Sequence, residues 1–283
     1  MKKILFGILA VVTAVSTNAQ TKSCCTLGVT TQNAMLASNS DFASTHQEPV
    51  AYTLENPTGE MVTLKTTDGV DANAYLIKSK EPSDKYLFVF HEWWGLNDHI
   101  KREAEHLYGS FKNINVIAID LYDGKVGGTR EEAQKLMMHM TEARSKTIVQ
   151  AAFNFVGPKA QVATYGWCMG GAWSLQAALI GQKQVKACVM YYGMPEANIE
   201  RLKTLNCEVL GIFANEDKFI NTELVNTFKS NMKKAGEKLT VYSYAADHAF
   251  ANPSNPGFNK TATEDAFAKA SAFLMAQFGL SKN

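Results

Sequence analysis

Short apolar runs alternate with amphipathic segments along most of the chain, and this alternation predicts the secondary structure. The runs have the length of strands and carry few polar residues, as expected for strands buried on both faces. Amphipathic segments of helical period separate most of them. The pattern predicts the α/β class, with a mostly parallel central sheet and helices on both faces. The predicted buried strands are residues 86–90, 115–119, 162–165, 187–192, 209–214 and 239–244.

Local signals predict where several elements begin and end. Residues 61–66 and 73–79 are predicted strands, and the turn residues Asp68 and Gly69 between them indicate a hairpin. Helical spacing of apolar residues starts near residue 98 and again near residue 169. Thr129 and Glu132 have the spacing of a capping box, which predicts a helix start. The last helix is expected to stop at Gly279.

The first fifty residues do not follow this pattern. Lys2 and Lys3 precede an apolar stretch of about twelve residues, which is too short to cross a membrane and is typical of a signal peptide. Small and polar residues follow, so cleavage is expected near Ala19 and the mature protein is expected to be secreted or periplasmic. Residues 20–50 are polar and lack a sustained period, which predicts an arm lying on or near a single α/β domain at residues 51–283.

Charge and cysteine content limit the classes of partner. The chain has 28 Lys and Arg against 27 Asp and Glu, so nucleic acid and membrane surfaces are not expected partners of the mature form. Five cysteines cannot all pair within one chain. Cys188 and Cys207 belong to apolar runs and are expected in the core, whereas the pairing of Cys24 and Cys25 stays open.

Cys168 lies in a sequence that predicts a nucleophile. Residues 166–171 read Gly-Trp-Cys-Met-Gly-Gly, between a predicted strand and a predicted helix. Glycines two residues before and after the central residue permit a sharp turn that exposes its side chain, which is the nucleophile elbow. A thiol at a helix N-terminus faces unpaired N–H groups, and the N–H of Met169 is a candidate oxyanion donor.

A nucleophile of this kind needs a base and a carboxylate that orients the base. His248 follows the last predicted strand and Asp217 follows the one before it, so the order is nucleophile, acid, histidine. Glu216 and Asp247 are rival acids. The other histidines on the arm or on predicted helices, among them His46, are expected in solvent. No two histidines have metal-ligand spacing on one helix, so neither a metal nor another cofactor is expected.

The loop after the strand at residues 86–90 supplies further candidates. The N–H of Trp93 is a candidate for the second oxyanion donor. Glu92 leaves a buried strand beside two indoles, so desolvation is expected to raise its pKa and make it a proton partner for Cys168. Trp94, Trp167 and Phe250 are consistent with an aromatic substrate pocket and equally with a packed core.

These motifs resemble the dienelactone hydrolase family of α/β-hydrolases, over about residues 60–279. The resemblance implies a triad of Cys168, His248 and Asp217, with Glu92 as a switch that contacts the resting thiol. Family members hold the substrate carboxylate with two arginines, and those positions are Gly124 and Asn252 here. The motifs that carry the resemblance are at residues 91–95, 120–122, 166–171, 216–220 and 248–253.

The missing arginines limit what the resemblance implies about the substrate. Lys125 is adjacent to Gly124 and is a candidate replacement, although an ammonium cannot reproduce the two-pronged grip of a guanidinium. Asn252 remains a candidate substrate contact. Export would also separate the protein from the cytoplasmic catabolism that produces the lactone. The expectation is shared chemistry on a different small ester or lactone.

The sequence therefore predicts a secreted hydrolase of carboxylic esters or lactones that forms a covalent acyl-enzyme. A thioesterase or a peptidase could use the same triad. A binding protein that lost turnover is a second class, and a thiol redox protein is a third, although no Cys-x-x-Cys occurs. The natural substrate and the oligomeric state stay open.

Overall fold

The fold is known from a computed structural model that describes residues 27–283. Its eight strands form one sheet in the order β1-β2-β4-β3-β5-β6-β7-β8. β1 pairs antiparallel with β2 and β2 antiparallel with β4, whereas all other neighbours are parallel. The predicted hairpin and the mostly parallel sheet are confirmed. The strands are β1 Glu60–Leu64, β2 Ala72–Ile77, β3 Lys85–Phe90, β4 Asn115–Ile119, β5 Gln161–Trp167, β6 Val185–Tyr191, β7 Glu208–Ala214 and β8 Leu239–Tyr244.

Helices connect most of the parallel strands as the sequence predicted, with two unpredicted additions, α5 and the short α7 between β6 and β7. The capping box forms, because the Thr129 hydroxyl accepts from the Glu132 amide and the Glu132 carboxylate accepts from the Thr129 amide. A second helix in the same connection, α5, was not predicted. The helices are α1 Val29–Ser38, α2 Ser40–Ser44, α3 Asp98–Ser110, α4 Arg130–His139, α5 Glu142–Val156, α6 Met169–Gly181, α7 Ile199–Leu202, α8 Thr222–Ala235 and α9 Lys260–Phe278.

Both faces of the sheet are covered. All five residues of β4 are buried, although successive side chains of a strand point to opposite faces. The last six residues of β5 and of β7 are buried as well. Cys188 on β6 is fully buried and Cys207 nearly so, as the sequence predicted for both. The predicted architecture, with helices on both faces, follows from this burial.

The segment at residues 27–50 differs from the predicted polar arm. It forms α1 and α2, and it packs into the domain through Val29, Ala37 and the fully buried Phe42. The α1 carbonyl of Ala37 accepts from the Gln134 side chain on α4. The predicted signal peptide, Cys24 and Cys25 lie outside the described residues. Within residues 27–283, no helix is long and apolar enough to cross a membrane.

Candidate active site

The carboxyl edge of the parallel sheet gathers four predicted side chains. Glu92 follows β3, Cys168 follows β5, Asp217 follows β7 and His248 follows β8. In open parallel sheets this edge is where loops converge on ligands. Because β3 lies beside β5 in the sheet, Glu92 and Cys168 leave neighbouring strands.

The turn at Cys168 has the backbone that its glycines permit. Cys168 has φ 53° and ψ −122° between β5 and α6, a strained conformation for a residue with a side chain. A Cβ on Gly166 would lie 2.1 Å from the Gly170 carbonyl oxygen, and one on Gly170 would lie 2.3 Å from the Phe90 carbonyl oxygen. Only glycine fits at either position, so the loop holds Cys168 in the geometry of a nucleophile elbow.

Cys168, His248 and Asp217 form one continuous chain of contacts. The His248 Nε2 lies 3.3 Å from the Cys168 Sγ, and the His248 Nδ1 lies 2.6 Å from an Asp217 carboxylate oxygen. The other Asp217 oxygen accepts from the backbone amides of Phe219 and Ile220. The rival acids Glu216 and Asp247 are exposed. The carboxylate that contacts the histidine is therefore Asp217.

Burial makes the charges of this chain strongly interdependent. Burial by itself would lower the pKa of His248, but Asp217 and Cys168 outweigh it and hold that pKa well above the ordinary 6.5. Burial would raise the pKa of Asp217, but His248 and the two backbone amides keep it below 3.8. An imidazole whose pKa is raised in this way accepts a proton from a neighbouring thiol readily.

Glu92 is paired differently from what the resemblance implies. Its carboxylate accepts from the Asn252 side-chain amide, and no hydrogen bond between Glu92 and Cys168 occurs within residues 27–283. Cys168 faces His248 instead of resting on the glutamate. Burial raises the pKa of Glu92 to about 7, against the lowering effects of His248 and Asn252. The predicted direction of this pKa shift is confirmed.

A buried histidine fixes the loop that carries Glu92 and Trp93. The His91 Nδ1 donates to the Glu92 carbonyl at 2.8 Å, and its Nε2 accepts from the Leu121 amide at 3.0 Å. Burial lowers the pKa of His91, which keeps the ring neutral in that role. This ring therefore ties the end of β3 to the end of β4.

The two predicted oxyanion donors are available for hydrogen bonding. Within residues 27–283, the backbone amides of Met169 and Trp93 donate to no protein acceptor. Met169 is the first residue of α6, where backbone N–H groups have no intrahelical partner. A buried amide without a partner is uncommon, so both amides are suited to bind an anionic oxygen.

The structure also brings His46 to the site, which the sequence analysis placed in solvent. His46 is 3% exposed, its Nε2 lies 3.9 Å from the Cys168 Sγ, and its ring stacks on Trp93. Burial, together with the nearby His248, lowers its pKa to about 3, so His46 is neutral. Phe42 also lies at the site, with its ring centroid 5.3 Å from that of His248.

One sequence signal could have indicated that the segment carrying His46 and Phe42 packs into the domain. Val29, Asn33, Leu36 and Ala37 share one helical face. The signal is weak because the face contains an asparagine and the following helix has only five residues.

A cavity of about 400 Å³ lies beside the triad. Glu92, Trp167, Tyr192 and Asn252 belong to its wall, and the Tyr192 ring centroid is 5.1 Å from that of His248. The volume falls in the usual range for small-molecule sites, about 300–1,000 Å³. The cavity is therefore large enough for a small substrate, and its wall contains neighbours of the triad but neither Cys168 nor His248.

Three other predicted substrate residues do not line this cavity. Phe250 is fully buried and packs against Tyr192. Trp94 is buried as well, and its carbonyl accepts from the Gly127 amide. Lys125 lines a separate surface pocket. Phe250 and Trp94 thus have packing environments, and Lys125 is not placed to replace the missing arginines.

Comparison with known proteins decides the family. A family model described as "Dienelactone hydrolase family" matches residues 72–278, which is most of the chain. The chain belongs to the dienelactone hydrolase family. It is therefore a hydrolase with the α/β-hydrolase fold, as the sequence predicted.

Relatives with curated names and solved structures agree with this assignment. "Protein usf" of Aquifex pyrophilus is 29% identical, over 69% of this chain and 87% of its own. "Carboxymethylenebutenolidase 1" of Cupriavidus pinatubonensis is 22% identical, over 75% of this chain and 95% of its own. A dienelactone hydrolase-like promiscuous phosphotriesterase from metagenomic libraries is 21% identical with a TM-score of 0.64, over 78% of this chain and 99% of its own.

In this member of the dienelactone hydrolase family, the two positions at which other members have arginine are Asn252 and Gly124, and both make other contacts. Asn252 binds Glu92 and also accepts from the amide and hydroxyl of Ser254. Gly124 has φ 82°, and its amide donates to the Asp120 carboxylate. Of the described residues, those lining the cavity include one arginine, Arg102, and its guanidinium is paired with Glu103. The cavity presents no unpaired guanidinium to a substrate carboxylate.

Proposed function

We propose that the protein is an exported hydrolase that cleaves small carboxylic esters or lactones through an acyl intermediate on Cys168. The observation that carries this proposal is the contact chain from the Asp217 carboxylate through His248 to the Cys168 thiol, with separations of 2.6 and 3.3 Å. Both separations allow direct hydrogen bonds. The export part of the proposal rests on the sequence of residues 1–19.

The reaction uses each group in a defined role. Cys168 Sγ bonds to the substrate carbonyl carbon while its proton passes to His248 Nε2. The carbonyl oxygen becomes an oxyanion that accepts from the Met169 and Trp93 amides. The carbon–oxygen bond to the leaving group then breaks, and the alkoxide takes the proton from His248. Asp217 holds the Nδ1–H side of the ring throughout, which stabilises the imidazolium.

The second half of the reaction regenerates the thiol. Water gives a proton to His248 Nε2 as its oxygen bonds to the acyl carbon of the thioester. The carbon–sulfur bond breaks, the carboxylic acid leaves, and the proton returns from His248 to Cys168. The same imidazole therefore serves as base and then as acid in each half-reaction.

The cavity favours uncharged substrates over those with a free carboxylate. Its one described arginine is paired with Glu103, and Glu92 and Glu264 also belong to its wall. Carboxylates near a substrate carboxylate would repel it unless cations are free to compensate. We therefore expect neutral small esters or lactones to be better substrates than dienelactone itself.

The test is hydrolysis of short p-nitrophenyl esters by wild type and by Cys168→Ala. We expect the variant to lose at least about 10³-fold in kcat/KM, since the thiol is the only nucleophile in this scheme. Cys188→Ala is the matched control, because it removes a buried thiol from β6 without touching the triad. Activity that survives unchanged in Cys168→Ala would refute the proposal, provided that far-UV circular dichroism shows both variants folded.

A further inference from the structure

Cys168 lies between two imidazoles, whereas the proposed hydrolysis uses only one. Its Sγ is 3.3 Å from the His248 Nε2 and 3.9 Å from the His46 Nε2. All three ligand atoms lie within 4.8 Å of one another, and all three residues are buried. His46 comes from the segment after α2, remote in sequence from the hydrolase elements, and the mechanism gives it no role.

Hydrogen bonds at Nδ1 orient both rings so that Nε2 is the nitrogen near the sulfur. The His46 Nδ1 lies 3.0 Å from the Phe42 carbonyl oxygen, which can only accept, so Nδ1 is the protonated nitrogen. The His248 Nδ1 faces the Asp217 carboxylate in the same way. A histidine whose Nδ1–H donates to a carbonyl or carboxylate is the usual form of a metal-ligating imidazole. Both Nε2 atoms lie within 4 Å of the sulfur and become metal ligands when they are deprotonated.

The two sulfur–nitrogen separations are close to those of a tetrahedral metal site. Zinc binds thiolate at about 2.3 Å and imidazole at about 2.0–2.1 Å, so tetrahedral ligation places sulfur and nitrogen about 3.6 Å apart. The two sulfur–nitrogen separations here, 3.3 and 3.9 Å, lie on either side of that value. The two sulfur–nitrogen separations would change by only a few tenths of an ångström on metal binding, and the two nitrogens, which lie within 4.8 Å of each other, would need to be about 3.3 Å apart.

The backbone around His46 is anchored on two sides. Its carbonyl accepts from Arg130 Nε at 3.0 Å, and its amide donates to the Ala43 carbonyl at 3.1 Å. The ring itself stacks on Trp93 at a centroid distance of 4.3 Å. A ligand held in this way loses little freedom when a metal binds.

We infer that His46, Cys168 and His248 form a three-ligand site for a thiophilic divalent metal ion, of which Zn²⁺ is the best fit. Two imidazoles and one thiolate are ligands that zinc prefers, and a site with three protein ligands leaves a fourth position for water. Binding forms one metal–sulfur and two metal–nitrogen bonds and releases the thiol proton to solvent. The metal-bound form cannot attack an ester, because sulfur and His248 are both occupied.

The experiment adds Co²⁺, a spectroscopic substitute for zinc, to metal-free full-length protein. We expect one equivalent to produce thiolate-to-cobalt charge-transfer absorption with the visible bands of four-coordinate cobalt, and one equivalent of Zn²⁺ to displace it. His46→Gln should weaken cobalt binding by more than about 100-fold, since second-shell partners alone are typically worth about 10–100-fold. His139→Gln, at an exposed histidine on α4, is the matched control and should bind as wild type does.

Further measurements distinguish metal bound at the proposed site from metal bound elsewhere and from the effects of a misfolded variant. Cys168→Ala is the control for metal bound elsewhere, for example at Cys24 and Cys25. With one equivalent of Co²⁺ this variant should give no charge-transfer band. In wild type, one equivalent of Zn²⁺ should protect Cys168 from alkylation, a result that does not depend on any variant folding. Wild-type binding retained in folded His46→Gln, or absence of both the band and the protection in wild type, would overturn the inference. Ester hydrolysis is measured without metal, so it tests the proposed function independently.

Discussion

At the level of single residues, burial distinguishes Asp217 from its neighbours. Asp217 is 2% exposed and accepts hydrogen bonds from His248 and two backbone amides, whereas Glu216 and Asp247 are exposed. A carboxylate fixes the orientation of an imidazole only through a direct hydrogen bond. Glu216 is adjacent to Asp217 in sequence, and Asp247 is adjacent to His248. Sequence position therefore does not distinguish the three acids, and the folded structure is needed to show which one contacts the histidine.

Asp217→Asn should lower kcat on p-nitrophenyl esters by about 10³–10⁴-fold, because the amide no longer stabilises the imidazolium or fixes its tautomer. The His248 hydrogen-bond geometry is otherwise retained by an isosteric side chain. Glu216→Gln is the matched control and should keep wild-type kcat. Equal losses in the two variants would show that the orienting acid has been misassigned.

Glu92 should make stability depend on pH. Its pKa rises from 4.5 to about 7 in the folded protein, so the folded state binds more protons than the unfolded state between these values. Stability therefore falls as pH rises through this window, by about 3 kcal/mol when complete. Glu92→Gln stays neutral and should be more stable than wild type at about pH 8, with little difference near pH 4.5.

Urea unfolding at the two pH values measures this difference. Glu55→Gln, at an exposed glutamate, is the control and should change stability little at either pH. A Glu92→Gln gain that is the same at both pH values would mean that the carboxyl is not titrating in this window.

At the level of elements, the nucleophile elbow was predictable from sequence and the α1–α2 segment was not. The elbow depends on local sterics, and the contacts that a Cβ at Gly166 or Gly170 would make explain the motif directly. The α1–α2 segment depends on tertiary packing, since Phe42 contacts the rings of Trp93, Phe219 and His248 from three separate loops. A polar sequence with one buried aromatic does not reveal such contacts in advance.

Phe42→Ala should test whether α2 covers the catalytic centre. Removing this fully buried ring should cost about 3–5 kcal/mol in unfolding free energy. It should also open a path to Cys168, so the native thiol should react faster with a bulky disulfide reagent. Met35→Ala, at an exposed residue on α1, should change neither quantity. Unchanged thiol reactivity in folded Phe42→Ala would show that the route to Cys168 does not pass Phe42.

At the level of the whole molecule, the sheet and its carboxyl edge were predictable because the strand signals are strong. β4 begins and ends at the predicted residues, and the other parallel strands differ from their predicted bounds by at most two residues at either end. Strand order then brings the loops after β3, β5, β7 and β8 together. The side-chain contacts within the cavity wall were less predictable, because pairs such as Glu92 with Asn252 join residues far apart in sequence.

The proposed export is also tested on the whole molecule. Expression of the full chain in a bacterial host should yield a mature protein that begins at Gln20 and accumulates outside the cytoplasm. Intact mass of the purified protein measures the cleavage, and cell fractionation measures the location. Replacing Leu9 in the apolar stretch by Arg should retain the precursor inside the cell. Uncleaved wild-type protein in the cytoplasm would contradict the export proposal.

The covalent intermediate is the central claim, and trapping it is the most direct measurement. Wild-type protein quenched in acid during turnover of p-nitrophenyl butyrate should gain the mass of one butyryl group. Peptide mapping should place the group on Cys168, and it should disappear at the rate of turnover. Turnover without an adduct, or with the adduct on another residue, would contradict the account.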